Sequence, residues 1–299
     1  LNSERNNLKG VVGIIFPSTC MPVESALFYH IQSGLYERKY QTLVCLTDDR
    51  MDKEIETIRM FRAFGIRGFI IFPAINERYN EEILRLSLER FPHVLVDRYL
   101  SNISSSFVVS DNCQATRDAV FYLLKQRKNI AFITQKDNTT NTKERFDGFE
   151  RAFSDQGLPI DTRNWFINPG FLPLPETGEA LKEFLSSRKN IDGIICVNTP
   201  LASLTYAILQ ESGRRVPEDV TLVSFDDPKL PFVPYVEQDV RTIGLSAVDI
   251  LVRQMENEYF FTWKKVPTRL VTDVAYPQPF SQPFTTDIWK DSSGPEQER

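Results

Sequence analysis

The sequence predicts an α/β protein built as two doubly wound lobes of parallel sheet. Short apolar runs alternate with longer amphipathic stretches along the chain. These runs are rich in Val, Ile and Phe, and most are continuously apolar, which is typical of strands buried on both faces. The length of 299 residues suits about two domains. Alternation of strands and helices implies parallel sheets covered by helices.

The elements follow one another in a regular order. The predicted strands are Val11–Phe16, Leu43–Leu46, Phe69–Phe72, Val94–Val96, Phe107–Val109, Ile130–Ile133, Ile194–Val197 and Val220–Phe225. The predicted helices are Val23–Arg38, Met51–Phe64, Asn80–Arg90, Asn112–Gln126, Lys143–Gln156, Glu176–Ser187, Pro200–Ser212 and Gly244–Glu256. Eight such units suit either a closed barrel or two doubly wound halves.

The connections favour two halves. The irregular stretch 97–106 has the character of a crossover between lobes, and the strand-like run Thr268–Thr272 remains after the second half is complete. We expect one lobe from residues 10–108 with 240–266, and a second from residues 109–239 with 267–275. Residues 1–9 are interpreted as a linker. Residues 276–299, rich in Pro and then polar, are expected to form an extended arm and a disordered end.

Composition and charge exclude several classes of protein. The net charge is −5, so the chain lacks the surplus of Lys and Arg with which proteins bind duplex DNA. The four cysteines form no C-x-x-C pair, so we expect no zinc site and a reducing compartment. The polar start of the chain has neither a signal peptide nor a membrane span. A cytoplasmic protein without membrane contact is therefore expected.

Motifs for catalysis are missing from the sequence. It contains no G-x-G-x-x-G, P-loop, H-E-x-x-H or G-x-S-x-G pattern. The two histidines, His30 and His93, have no second His or Cys at ligand spacing, so a structural or surface role is the better interpretation. We expect neither an enzyme nor a cofactor or metal.

Polar residues stand where the predicted strands end. Asp97, Asn198 and Asp226 each follow a strand directly, and Ser18 lies in the turn after the first strand. In open α/β sheets, ligands bind beyond the carboxyl ends of the strands. Asp and Asn are also common helix caps and turn formers, and that alternative stays open for each residue.

Arg145 lies near the start of a predicted helix, where the helix dipole favours acids over bases. Its planar fork can donate to two neighbouring hydroxyls or to a carboxylate, so ligand binding would explain its position. The alternative is a surface Arg paired with Asp147 or Glu144. Acids, an amide and an Arg that converge between two lobes suit a polyhydroxylated ligand, because each buried hydroxyl needs a donor and an acceptor.

Three motifs resemble the effector-binding domain of the LacI/GalR family of bacterial transcription regulators, over about Lys9 to Val274. They are V-P-E-D-V-T-L-V-S-F-D-D at residues 216–227, V-S-D-N at residues 109–112, and R-F-D-G-F at residues 145–149. The resemblance implies a type I periplasmic-binding-protein-like fold with three crossovers and an effector in the cleft. It also implies a homodimer, and a DNA-binding head that this chain lacks.

The resemblance maps the family's sugar-contacting positions onto four residues of the expected type, namely Asp97, Arg145, Asn198 and Asp226, and Gln238 also matches a cleft position. Some positions depart from the family pattern. Val23 and Glu24 stand where an aromatic is frequent, and Glu24 could accept hydrogen bonds from a hydroxyl instead. Thr199 replaces a frequent Asp, and Asp239 a frequent Pro. An apolar wall is expected from Phe171 or Leu172.

We therefore expect the sensor domain of a transcription regulator, which binds a sugar or sugar derivative in the interlobe cleft. Two other hypotheses remain. An exported solute-binding protein that delivers sugar to a transporter would use the same fold. An α/β enzyme could act on sugars through paired acids such as Asp97 and Asp226. The sequence does not name the sugar or decide between repression and activation.

Overall fold

The computed structural model describes residues 8–74, 80–136, 139–170, 175–257 and 259–274. They form two lobes, each built on a six-stranded sheet. The expected tail at residues 276–299 lies outside the described residues, as does nearly all of the linker expected at residues 1–9.

Lobe A contains the first sheet and the helices that pack on it. Its strands are β1 (Gly10–Phe16), β2 (Tyr40–Leu46), β3 (Gly68–Ile71), β4 (His93–Val96) and β5 (Ser106–Ser110), with a late addition numbered β11 (Trp263–Val266). Its helices are α1 (Pro22–Glu37), α2 (Met51–Ala63), α3 (Glu81–Leu88) and α8 (Val240–Glu256). The strand order is β11-β5-β4-β3-β1-β2, and every pair is parallel.

Lobe B repeats this plan. Its strands are β6 (Ile130–Gln135), β7 (Trp165–Asn168), β8 (Gly193–Cys196), β9 (Thr221–Phe225), β10 (Tyr235–Gln238) and β12 (Thr268–Val271). Its helices are α4 (Asn112–Leu124), α5 (Thr140–Asp155), α6 (Pro175–Ser187) and α7 (Thr199–Glu211). The order is β12-β10-β9-β8-β6-β7, parallel except for the β10–β12 pair.

The continuous apolar runs bury both faces of the sheets, as predicted. In β1, Ile14 and Phe16 belong to the core beneath α1 and α8, whereas Ile15 lies in the core on the opposite face beneath α2 and α3. Successive side chains of a strand point to opposite faces, so a strand covered by helices on both sides needs apolar residues at every position. The predicted fold class is confirmed.

The chain passes between the lobes three times: from β5 to α4, from β10 to α8, and from β11 to β12. The expectation that residues 97–106 form a crossover is wrong, because β4 and β5 pair side by side in one sheet. The irregular stretch leaves lobe A only far enough to touch lobe B, where the Tyr99 backbone N–H donates to Thr140 over 3.0 Å, and then returns. The residue limits given for the two lobes stay a prediction.

Helices α4 and α5 pack unusually close together, and this contact positions the start of α5. A Cβ atom on Gly148 would lie 2.2 Å from the carbonyl oxygen of Cys113 and 2.9 Å from Cβ of Thr116. Only glycine fits at that distance, which gives a physical reason for the Gly in the R-F-D-G-F motif. Among the described residues, no helix is long and apolar enough to cross a bilayer.

Candidate functional site

A cavity opens between the lobes at the carboxyl ends of both sheets. Both lobes contribute to its wall. Lobe A supplies Met21, Val23, Glu24, Asp49, Phe72, Asp97 and Arg98, and lobe B supplies Gln135, Thr139, Asn141, Arg145, Asn198, Thr199, Asp226 and Gln238.

Asp97 and Asp226 face this cavity from opposite lobes. Asp97 follows β4 and Asp226 follows β9, and both adopt left-handed backbone conformations, with φ of 64° and 62°. Such conformations are uncommon for residues other than glycine and concentrate at binding and active sites, where the surrounding structure enforces them. Neither residue caps a helix, so the capping alternative does not explain either one.

The Asp226 carboxylate is held by the side chain of Gln238. The Gln238 amide nitrogen donates to both Asp226 oxygens over 2.8 and 3.1 Å, while its carbonyl oxygen accepts from the Ser110 hydroxyl over 2.6 Å. Ser110 ends β5 and Gln238 ends β10, so this chain of hydrogen bonds joins the first two crossovers. Gln238 was expected in the cleft, and the structure places it in the cavity wall.

Arg145 lies in the second turn of α5 with only 8% of its surface exposed, so the alternative of a surface Arg is wrong. Its Nε donates to Asn112 over 2.9 Å, and an Nη donates to the Val197 carbonyl over 2.6 Å. The guanidinium carbon lies 3.7 Å from the ring centroid of Phe225. Stacking and hydrogen bonds fix the orientation of the fork at the cavity wall.

Asn198 has two roles in the structure. Its side-chain oxygen caps α7 by accepting from the Leu201 N–H over 2.9 Å, so the capping interpretation holds for this residue. Its amide nitrogen donates to Gln135 over 2.6 Å at the cavity wall. Gln135 ends β6, so this pair occupies the ends of neighbouring strands β6 and β8.

Glu24 reaches the cavity from the first turn of α1. Its carboxylate accepts hydrogen bonds from the Ser18 hydroxyl and, over 3.3 Å, from the Met21 N–H. Ser18 itself does not line the cavity and contacts its wall through Glu24. Of the departures from the family pattern, Val23 and Thr199 line the cavity, whereas Asp239 caps α8 through the Thr242 N–H. Phe171 and Leu172 lie outside the described residues.

The half-buried carboxyl groups of the cavity are harder to ionise than usual. Burial raises the pKa of Asp226 to about 6; Arg145 and Gln238 oppose this rise, and Asp97 adds to it. Burial also raises the pKa of Asp97, against the effects of Arg98 and Arg145. The pKa of Glu24 is raised by burial, with smaller contributions from Asp97 and Asp49. Removing carboxylates from water favours the neutral acid, and nearby like charges strengthen that preference.

Several wall residues were missed from the sequence. Asp49 lies three residues after β2 and Gln135 ends β6, so the rule that identified Asp97 points to these two as well, whereas Phe72 after β3 is apolar and falls outside that rule. Arg98 is held by Asp49 over 2.9 Å and lies 4.7 Å from the ring centroid of Phe72.

Asn141 could not be found by that rule, because it lies on a helix. Its amide donates to Asp97 across the cleft over 3.1 Å. In the described residues, no group of three His, Cys, Asp or Glu side chains could hold a metal ion. The site offers hydrogen-bond acceptors and donors from both lobes, and this arrangement suits the binding of a small polar molecule.

Comparisons with known proteins agree on the architecture. The sequence profile of the periplasmic binding protein-like domain matches residues 122–272. A ribose operon repressor of Halalkalibacterium halodurans is 25% identical over 269 residues, covering 88% of this chain and 78% of that protein. The HTH-type transcriptional repressor PurR of Aliivibrio fischeri is 24% identical over 263 residues, covering 84% of this chain and 76% of that protein.

A solved structure shows the same fold. It is a LacI family transcriptional regulator from Enterococcus faecium with bound ribose. That structure superposes with a TM-score of 0.72 at 23% identity, covering 89% of this chain and 98% of the other.

Proposed function

This chain belongs to the family of periplasmic binding protein-like domains, in the form found in LacI-type transcription regulators, and from that membership we propose that its interlobe cleft binds a sugar effector. The observation that carries the proposal is the cavity at the carboxyl ends of both sheets, whose wall alternates acceptors and donors from the two lobes. A ribose operon repressor and a ribose-bound regulator among the similar proteins support the class of ligand.

The proposed contacts follow from the side chains in the wall. Asp97 and Asp226 accept hydrogen bonds from sugar hydroxyls, while Arg145 and Asn198 donate to hydroxyl oxygens. Gln238 positions Asp226, and Glu24 offers a further acceptor. A buried hydroxyl left without a partner costs about 1–3 kcal/mol, so a ring whose hydroxyls do not match this pattern binds poorly.

Binding between the lobes gives the domain a way to report the effector. A sugar that touches Asp97 of lobe A and Arg145 of lobe B stabilises one arrangement of the lobes over others. It shifts that equilibrium by its difference in affinity for the two arrangements. We propose that the shift changes how a DNA-binding head joined to this domain meets its operator.

Two half-sites on DNA require two heads, so we propose that the regulator is a homodimer. Tyr29 and Tyr36 support this proposal. They lie seven residues apart on α1, on one stripe of the helix, with 63% and 65% of their surface exposed. Light scattering tests this proposal. A mass of one chain, 34.5 kDa, both with and without effector would contradict the homodimer.

A thermal-shift screen of pentoses, hexoses, uronic acids and sugar phosphates tests the effector proposal. A ligand that binds only the folded protein raises its Tm, by an amount that grows with concentration. We expect one sugar class to raise the Tm of the wild type. The same sugar should not raise the Tm of Arg145→Ala, because that variant lacks the guanidinium group that donates to the hydroxyls.

Arg163→Ala is the matched control, since Arg163 is exposed, pairs with Asp161 and is not among the residues that line the cavity. It should respond to the sugar like the wild type. Each variant is compared with its own ligand-free Tm, because loss of the buried Arg145 contacts lowers stability by itself. If no sugar shifts the wild type, the effector is not a sugar. An equal shift in Arg145→Ala would show that binding occurs elsewhere.

A further inference from the structure

The cavity wall carries more negative than positive side chains. Among the described lining residues, the acids are Glu24, Asp49, Asp97 and Asp226, and the bases are Arg98 and Arg145. Arg98 is engaged by Asp49 in an ion pair of 2.9 Å. Among the described lining residues, Glu24, Asp97 and Asp226 therefore remain against the guanidinium of Arg145.

The hydrogen-bond donors of these three carboxyl groups are neutral. Asp226 accepts from the Gln238 amide, Asp97 accepts from the Asn141 amide, and Glu24 accepts from a hydroxyl and a backbone N–H. A neutral donor orients a carboxylate without cancelling its charge, so these groups give the cavity a negative potential, which Arg98 and Arg145 offset only in part. Burial is the largest cause of the raised pKa of Glu24, and the nearby charges of Asp97 and Asp49 add to it.

We propose that the effector carries no negative charge, and that Glu24 is a specificity-determining residue that rejects sugar phosphates and sugar acids. This inference rests on the proposed sugar-binding function and narrows its ligand class. The effector meets Glu24, Asp97 and Asp226 with hydroxyl or amine donors.

Coulomb repulsion sets how strongly the cavity discriminates against anionic sugars. Two like charges a few ångströms apart near a protein surface repel by several kcal/mol at an effective dielectric of about 20, and the repulsion decreases with distance. A phosphate or carboxylate on the sugar would approach these three acids. Glu24 is the acid best placed for a test, because a glutamine at N3 of α1 keeps an oxygen for the Met21 N–H and the Ser18 hydroxyl.

Pairs of sugars that differ by one anionic group distinguish the effect of charge on affinity from the effect of ring shape. Ribose is compared with ribose 5-phosphate, glucose with glucose 6-phosphate and glucuronate, and galactose with galacturonate. Glucosamine tests whether an amine replaces a hydroxyl donor. Affinities are measured by titration calorimetry with four proteins, which are the wild type, Glu24→Gln, Glu24→Asp and Glu56→Gln. Glu56 is an exposed residue of α2 in the same lobe and serves as the control.

We expect the wild type to bind a neutral or amine-bearing sugar and to reject its anionic partner. Glu24→Gln should raise the affinity for the anionic partner relative to the neutral sugar by roughly tenfold. Glu24→Asp, which keeps the charge, and Glu56→Gln should preserve the wild-type ratio. A variant that is merely less stable would weaken both sugars alike and leave the ratio unchanged.

Two results would overturn the inference while leaving the proposed function intact. One is an anionic sugar that binds the wild type at least as tightly as its neutral partner. The other is a ratio that Glu24→Gln does not change. If no sugar of either kind bound the wild type, the proposed function itself would fail, and the charge selectivity would fail with it.

Discussion

Asp226 holds a carboxylate in a half-buried position, where the neutral amide of Gln238 is its hydrogen-bond donor. Its pKa of about 6 in the folded protein lies above the ordinary value of 3.8. The folded state therefore binds this proton more tightly than the unfolded state does. By linkage, the residue lowers stability as pH rises from about 4 to about 6, and the full cost remains at higher pH.

Asp226→Asn removes this cost. Without effector, we expect the Tm of the variant minus the Tm of the wild type to increase as pH rises from 4 to 7. The same variant should lose effector affinity at pH 7, because an amide cannot replace both acceptor oxygens. Thermal melts across that pH range and a sugar titration at pH 7 measure the two effects. A difference in Tm that is independent of pH would show that Asp226 does not titrate in this window.

Sequence reasoning found residues of the site where a polar side chain ends a strand, as at Asp97 and Asp226. It missed Phe72, because an apolar residue at a strand end cannot be distinguished from one more residue of the strand. It missed Asn141, because the rotation of α5 about its axis depends on packing that no local pattern reports. Ser18 stands in the right loop but contacts Glu24 and not the cavity.

At the scale of single elements, the contact between α4 and α5 gives a direct test of packing. Gly148→Ala would place a methyl group 2.2 Å from the Cys113 carbonyl oxygen, so one helix must move. Overpacking of this kind typically costs about 1–3 kcal/mol. We expect a clear loss of Tm, and weaker effector binding as well, because Arg145 lies one turn before Gly148 on α5.

Gly178 provides the matched control for this substitution. It also lies in a helix, but the nearest atom to its added Cβ would be 3.9 Å away, at Leu204. Replacing glycine by alanine inside a helix stabilises it by up to about 1 kcal/mol when nothing clashes. Gly178→Ala should therefore keep or raise the Tm under the same denaturation conditions. A loss as large as that of Gly148→Ala would show that the cost does not come from the α4–α5 contact.

The predicted helices and the predicted strands match elements of the structure, and most of those strands carry a continuous apolar run because helices cover both faces of the sheet. Three short strands, β7, β10 and β11, were missed, and in β10 and β11 polar residues interrupt the apolar run. β11 reads Trp-Lys-Lys-Val, with its first three side chains exposed at the edge of its sheet. Edge strands often carry charged residues, and lysine above all, so their sequences resemble loops.

For the molecule as a whole, the relation between the lobes depends on contacts outside the cavity. Glu144 of α5 accepts from the Tyr99 hydroxyl over 2.9 Å and from the Lys265 ammonium over 2.8 Å, both in lobe A. The Tyr99 ring stacks on Phe107, with centroids 4.1 Å apart, which fixes its position. Glu144 and Arg145 are neighbours on one helix, so the contact between lobes and the effector site share a rigid support.

We expect Glu144→Ala to weaken effector binding by about tenfold. Hydrogen bonds to charged groups stabilise by roughly 1.5–3 kcal/mol, and part of this energy favours the arrangement of the two lobes seen here. Small-angle scattering should show a larger radius of gyration for the ligand-free variant. Glu150→Ala, at an exposed position on the same helix, should match the wild type in both measurements. Unchanged affinity in Glu144→Ala would mean that this contact persists in every arrangement of the lobes.

The three connections between the lobes also affect how the chain folds during translation. β11 completes the sheet of lobe A beside β5, and β12 completes the sheet of lobe B beside β10, yet both strands come from the last stretch of the fold. During translation, neither lobe can close its sheet until that stretch has left the ribosome. A nascent chain interrupted before Trp263 would present two unpaired edges, and exposed edges recruit other strands. We therefore expect truncated products to aggregate or to be degraded, because neither lobe is complete on its own.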